Sequence, residues 1–319
     1  MGHEILEFDD MFSVGSTPWH GLGNILENAP SIDEALIAAN LNWKVALLPI
    51  FAQPNDASTP RPVHGHRAIQ REDTGEIFTV VSNKYQLLQN DEAFEIFRPL
   101  VEDGSITLET AGSLKNGRKV WILAKITDTK DAEIRDGDVV KPYVMLSNSH
   151  DGTQAVRFGF TSIRVVCNNT LSWAVKDDGS KLIRVYHRGN VRDSLDLLRQ
   201  SLDTAKAEFS LQADKYRRLA NSNVNQDDLI KYIRAVLQTE DVTRRETAIM
   251  NVLFNGRGLG TRPQDRISWW DAYNAINEWM LYYRGRSVDS RLASAWFGDG
   301  YLLDQAAFQL ADDFVAKAA

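Results

Sequence analysis

The stretch MLSNSHDGTQAVRFGFTSIRVVCNNTL, residues 145–171, places a His-Asp pair, two arginines, three asparagines and the chain's only cysteine in one short span. Such residues serve three chemistries. In the first, His150 and Asp151 join His64 and His66 of the segment HGH in a metal-dependent hydrolase or nuclease, because a catalytic metal needs several nitrogen and oxygen ligands converging on one point. Period-2 alternation would put the two imidazoles of HGH on one side of a strand. Neither the HExxH spacing of a metal-binding helix nor a repeated His-x-Asp element accompanies them, and Asp151 before Gly152 also fits a tight turn. In the second, Cys167 is a nucleophile, which requires a neighbouring base; its setting in IRVVCNN, at an apolar strand end, instead fits a small buried hydrophobe.

The third chemistry is contact with a nucleic-acid backbone. Strand alternation in VRFGFTSIRVVCNN puts Val156, Phe158 and Phe160 on one face and leaves Arg157, Gly159 and Thr161 on the other. A bulge at Ser162-Ile163 would return Arg164 to the polar face. Arg184, Tyr186, His187 and Arg188 follow in KLIRVYHRG, and Arg67 and Arg71 sit on another hairpin. Arginines on one face of a sheet, with Tyr85, Trp121, Trp173 and Tyr186 nearby, are what phosphate contact combined with base stacking uses. Salt bridges to a helical lobe are the other use open to these arginines. The loop GRGLGT, which contains Arg257 and is followed by Arg262, lacks the Gly-Lys-Ser/Thr ending of a phosphate-binding loop and reads as an interhelical connection.

The elements that must position these residues change in kind along the chain. Residues 1–60 read as an acidic N-terminal arm, irregular at first, with a short helix opened by the capping box Ser31 to Glu34 and a strand in WKVALLPIF. Residues 61–190 read as an antiparallel β-rich core of three hairpins, turning at Asp73-Thr74-Gly75, Asn116-Gly117 and Asp151-Gly152. A capped helix in NDEAFEIFRPLVEDG lies between the first two and ends at Gly104. Residues 191–319 read as a helical lobe, beginning with a long amphipathic helix on Val191, Leu195, Leu198, Leu202 and Ala205. The expected class is α+β, a hairpin-rich antiparallel β lobe with interspersed helices followed by a helical C-terminal lobe.

With 43% apolar and 25% charged residues over 319 positions, the chain has the balance of an ordinary globular protein with room for two lobes. No apolar run has the roughly 20 residues of a membrane span, and the start lacks a signal-peptide pattern, so a cytoplasmic protein is expected. One cysteine excludes an intramolecular disulfide and multi-cysteine zinc sites. The net charge of −7 resides in residues 1–43, which hold seven acids and no Lys or Arg. The remainder carries 36 bases and 36 acids, with seven bases against three acids over residues 141–190. A local basic surface is therefore compatible with an acidic whole.

Several stretches together resemble one family: PWHGLG, YQLLQNDEAFEIF, ETAGSLKNGRKVWILAKI, LSNSHDGTQAVRFGFTSIRVVCNNTL, AYNAINEWMLYY and SAWFG. In order and across nearly the whole chain, they are similar to the phage/plasmid-like proteins grouped as domain of unknown function 932. The resemblance implies a protein of a phage, prophage or plasmid. In that setting, a chain without nuclease or nucleotide motifs is similar in architecture to single-strand annealing proteins, which assemble into rings or filaments and need no ATP.

The expectation is thus a non-enzymatic, homo-oligomeric protein that binds or anneals single-stranded DNA in recombination or replication, without metal or cofactor. Arg67, Arg71, Arg157, Arg164, Arg184 and Arg188 would pair with phosphates. Trp121 and Tyr186 would stack on bases, and Asn168 and Asn169 would bond the backbone. Other recombination or host proteins are further expected partners. Two alternatives stand beside it: the metal-dependent hydrolase or nuclease, and a counter-defence factor whose acidic N-terminal arm engages a host protein.

Overall fold

The computed structural model describes residues 11–15, 23–56, 59–164, 169–171, 183–187, 202–240, 243–263, 266–285, 291, 294–295 and 298–318. Its first elements are β1 (Met11–Val14), β2 (Asn24–Leu26), α1 (Ile32–Ala38), β3 (Val45–Ala52), β4 (Arg61–Arg71), β5 (Ile77–Ser82), α2 (Asn90–Glu95) and α3 (Arg98–Glu102). The strands β6 (Ile106–Leu114), β7 (Lys119–Ile126), β8 (Ala132–Arg135), β9 (Asp138–Ser149), β10 (Val156–Arg164), β11 (Asn169–Leu171) and β12 (Ile183–Val185) follow. The last part is helical: α4 (Leu202–Asn221), α5 (Gln226–Leu237), α6 (Arg244–Asn255), α7 (Trp269–Glu278) and α8 (Asp299–Ala318). The fold is α+β.

All three hairpin turns form where local chemistry places them. Gly75 and Gly152 take positive φ of 74° and 69°. At the second turn Leu114 pairs with Lys119, and Lys115, Asn116 and Gly117 all have positive φ. Only Gly avoids the steric cost of that region outright. Gly117 is also packed: a Cβ there would lie 2.6 Å from Trp43 Cζ2. Gly117→Ala is therefore expected to cost about 1 to 3 kcal/mol in urea denaturation. An unchanged midpoint would show that Trp43 does not hold this turn.

The strands form two sheets. One runs β11-β10-β9-β7-β6-β1-β2, with β12 added to β10 and β8 to β9; the other is β3-β4-β5. Pro49, which lacks an N–H, is tolerated because β3 is an edge strand that shifts register between Pro49 and Phe51. The segment read as an irregular arm differs from expectation. Met11 and Phe12 are fully buried, and β1 pairs parallel with β2 and antiparallel with β6. Two adjacent apolar residues suffice to draw a short strand into a sheet. Likewise, the single helix expected to end at Gly104 is two, α2 and α3. Pro99 cannot donate to the carbonyl one turn earlier, so it starts a new helix.

The chain divides into two compact units: Met1–Asp128 with Val144–Gly159 and Leu182–Asp203, and Thr129–Tyr143 with Phe160–Lys181 and Thr204–Ala319. The helical unit thus includes β-segments that the linear reading assigned to the β core. Of the long helix expected from residue 191, α4 from Leu202 is described; residues 188–201 lie outside the described ones. Ser268 caps α7 through a capping box with Asp271, and every residue of α7 is buried. Beside α7, Trp270 donates to Asp138 at 2.8 Å and Arg135 pairs with Asp271 at 2.6 Å. Arg135 on β8 thus makes a salt bridge to the helices.

Candidate nucleic-acid interface

Strand β10 carries the centre of the site. Val156, Arg157 and Phe158 pair with Val185, Arg184 and Ile183 of β12. Val156, Phe158 and Val185 are buried and Arg157 only half-buried, so the expected alternation holds over 156–158; beyond it Gly159 and Thr161, expected on the polar face, are buried as well. Arg157 and Arg184 stand directly opposite one another on the other face; Arg184 is exposed and Arg157 half-buried. Like charges at opposed positions repel. Two residues further along the same face come Ala155 and Tyr186, the latter 67% exposed.

Next to this ribbon lies a cavity of about 690 Å³, bounded by Tyr85, residues 152–155, Tyr186 and His187. That volume lies within the range of small-molecule sites. Tyr85 stacks on His187, with ring centroids 4.6 Å apart and 14° between planes. His187 Nδ1 lies 3.0 Å from the carbonyl of Gln86, and that acceptor fixes the proton on Nδ1. Burial lowers the His187 pKa and keeps the ring neutral.

A closed polar network holds the turn. Asp151 Oδ1 accepts from Lys119 Nζ at 2.9 Å, Ser149 Oγ at 2.5 Å, and the Thr153 N–H and hydroxyl at 3.1 and 2.6 Å. Lys119 also donates to Ser149 at 3.0 Å and to the Thr153 hydroxyl, and Tyr85 donates to the Ser149 carbonyl at 3.1 Å. Burial alone would raise the Asp151 carboxyl; hydrogen bonds from Ser149, Thr153 and Lys119 bring it to about 2 instead. Burial lowers the Lys119 pKa, Asp151 opposes that shift, and the charges of Lys115 and Arg157 add to it. Arg157 therefore lies within Coulombic range of Lys119.

Several expected contacts are corrected. Trp121 has 0% exposure and belongs to the core, so it offers no face to a base. Arg71 lies 4.3 Å over the Trp43 ring, bonds Asp73 at 2.7 and 2.9 Å, and donates to the Asn116 carbonyl at 3.2 Å. It clamps two turns and is not presented to phosphate. Arg67 is exposed, but on the three-stranded sheet rather than on the ribbon. Asn168 and Arg188 lie outside the described residues, as do the side chains of Arg164 and Asn169, whose backbones pair across β10 and β11.

The metal-binding quartet does not assemble. His150 is 2% exposed, and its Nε2 bonds Asn90 Oδ1 at 2.8 Å, while His64 and His66 are exposed on β4. Among the described residues, no group of three or more His, Cys, Asp or Glu is placed to hold a metal ion. Of the acidic segment, Glu34 caps α1 and Asp33 pairs with Arg98 at 2.9 Å. Glu4, Glu7, Asp9 and Asp10 lie outside the described residues, as does Cys167. Within the described residues, no helix is long and apolar enough to cross a membrane.

A family model described as a domain of unknown function, DUF932, matches residues 77–296. The chain belongs to the DUF932 family. No curated protein and no solved structure matches it. The DUF932 segment contains β10, β12, the cavity and the Lys119–Asp151 network, whereas Arg67 and Arg71 precede it. The linear reading missed Lys119 and the Tyr85–His187 stack, because each meets its partner only across a long stretch of chain. A lysine beginning the strand after Asn116-Gly117, facing a later Asp-Gly turn, was the available signal for the first.

Proposed function

We propose that this DUF932 protein binds single-stranded DNA along the β10–β12 ribbon, in the recombination or replication of a phage, prophage or plasmid. The opposed pair Arg157 and Arg184, sharing a face with exposed Tyr186, carries the reading. Guanidinium groups meet successive phosphates, and an aromatic ring in line with them receives a base whatever its identity. The segment's excess of bases over acids also supports it, since phosphate contact responds to the field within about a Debye length.

The test is fluorescence anisotropy with a labelled oligothymidylate over a salt series. Each phosphate contact contributes a slope of about −0.7 in log affinity against log salt for single strands. The double variant Arg157→Ala with Arg184→Ala is expected to flatten the slope by about 1.4 and weaken binding by roughly tenfold or more. Circular dichroism of the double variant checks that it is folded before binding is compared. Salt-independent binding, or binding unchanged in the double variant, would refute the reading.

A further inference from the structure

We infer that the cavity beside the ribbon takes a nucleobase splayed out from the bound strand. This deepens the single-strand reading and rests on it. The cavity lies just beyond the end of the ribbon that carries the arginine pair, since Ala155, two residues before Arg157, and Tyr186, two residues after Arg184, border it. Two residues of strand span roughly 6.6 Å, within the reach of one nucleotide from phosphate to base.

Its walls suit a flat heteroaromatic ring. The stacked Tyr85 and His187 form one part, and Tyr186 stands exposed at the rim. Both rings of the stack are held from behind, Tyr85 by the Ser149 carbonyl and His187 by the Gln86 carbonyl. Their orientation is therefore set before any ligand arrives, which reduces the ordering cost of binding. Among the described residues, no arginine or lysine lines the cavity, which leaves the phosphates to the ribbon outside.

The experiment compares three probes on the full chain: oligothymidylate, an abasic strand of equal length, and thymidine monophosphate. Both strands carry the same phosphates, and only the first carries bases. Wild type is expected to hold oligothymidylate about fivefold or more tighter than the abasic strand, within the range of one stacked base. Tyr186→Ala should lower oligothymidylate to the abasic level, and Tyr186→Phe should retain the difference. Long-wave irradiation of a strand carrying 5-iodouracil should then give an adduct on Tyr186 or Tyr85.

Equal affinity for the two strands overturns the cavity inference and base stacking on Tyr186, and leaves the phosphate contacts of the ribbon standing; adducts confined to other residues overturn the cavity inference alone. Failure to bind either strand overturns both. Capture of thymidine monophosphate without either strand overturns the inference in favour of a free-nucleotide site.

Discussion

Lys119→Met is expected to destabilise the fold by about 3 to 5 kcal/mol, because it strands a buried carboxylate. The Asp151 side chain is only 13% exposed and the Lys119 side chain 6%. Methionine fills the space of the lysine stem but leaves the Asp151 charge with only the hydroxyls of Ser149 and Thr153 and one backbone N–H. Removing one member of such a pair costs the desolvation of the other. The double variant Lys119→Met with Asp151→Asn should therefore lose about 1 to 3 kcal/mol less than the sum of the singles. Urea denaturation at neutral pH measures all three. A single variant within 0.5 kcal/mol of wild type, a limit typical of surface sites, would mean that the network is solvated and does not fix the turn. Because that turn forms part of the cavity wall, the same variant should also weaken any ligand of the cavity.

Acid should destabilise the protein well above the carboxylate range, and His150 is the reason. Its ring is buried against Trp43 and Phe78, with centroids 5.3 and 6.3 Å away. Asn90 donates through Nδ2 to the Leu41 carbonyl at 3.1 Å and presents Oδ1 to His150, so the imidazole is neutral with its proton on Nε2. Burial first, then the neighbouring His187, lowers its pKa to about 3. The unfolded chain, with an ordinary histidine near 6.5, binds the proton more readily. Stability is thus fully present above about pH 6.5 and falls as pH drops towards 3, by about 1.4 kcal/mol per pH unit from this one group. The total over that window is about 4 kcal/mol, and His187, also shifted down, adds to it. Asp151 contributes only below about pH 4, where its carboxyl begins to protonate in the unfolded chain. Urea midpoints between pH 7 and 4.5 should therefore fall steeply in wild type and more gently in His150→Gln. A flat wild-type profile would show that His150 is reached by water.

The residues first singled out for chemistry have two different fates. His150 and Asp151, adjacent in sequence, are structural: one seals a core between aromatic rings, the other anchors a turn. Arg157 and Arg184 retain the placement that alternation gives them, since Val156 and Val185 beside them are buried. Arg71 and Trp121 were read from residue type alone, and type does not say which side of a sheet is covered. Trp121 lies on β7, between strands in the sheet's interior, where six of its eight residues are almost wholly enclosed. No alternation remains to be read there, as expected of a strand covered on both faces.

The sequence by itself determined the turns, the caps and the strand face of Arg157. Each depends on residues a few positions apart: a glycine free to take positive φ, a serine facing a glutamate three residues on, an alternation with period two. Only the tertiary structure decided which charges are spent and where a cavity opens. Lys119 meets Asp151 over a separation of 32 residues, Tyr85 meets Ser149 over 64, and His187 meets Gln86 over 101. Contacts at that range depend on how strands stack and on which groups lose water in doing so, and local preference does not encode them.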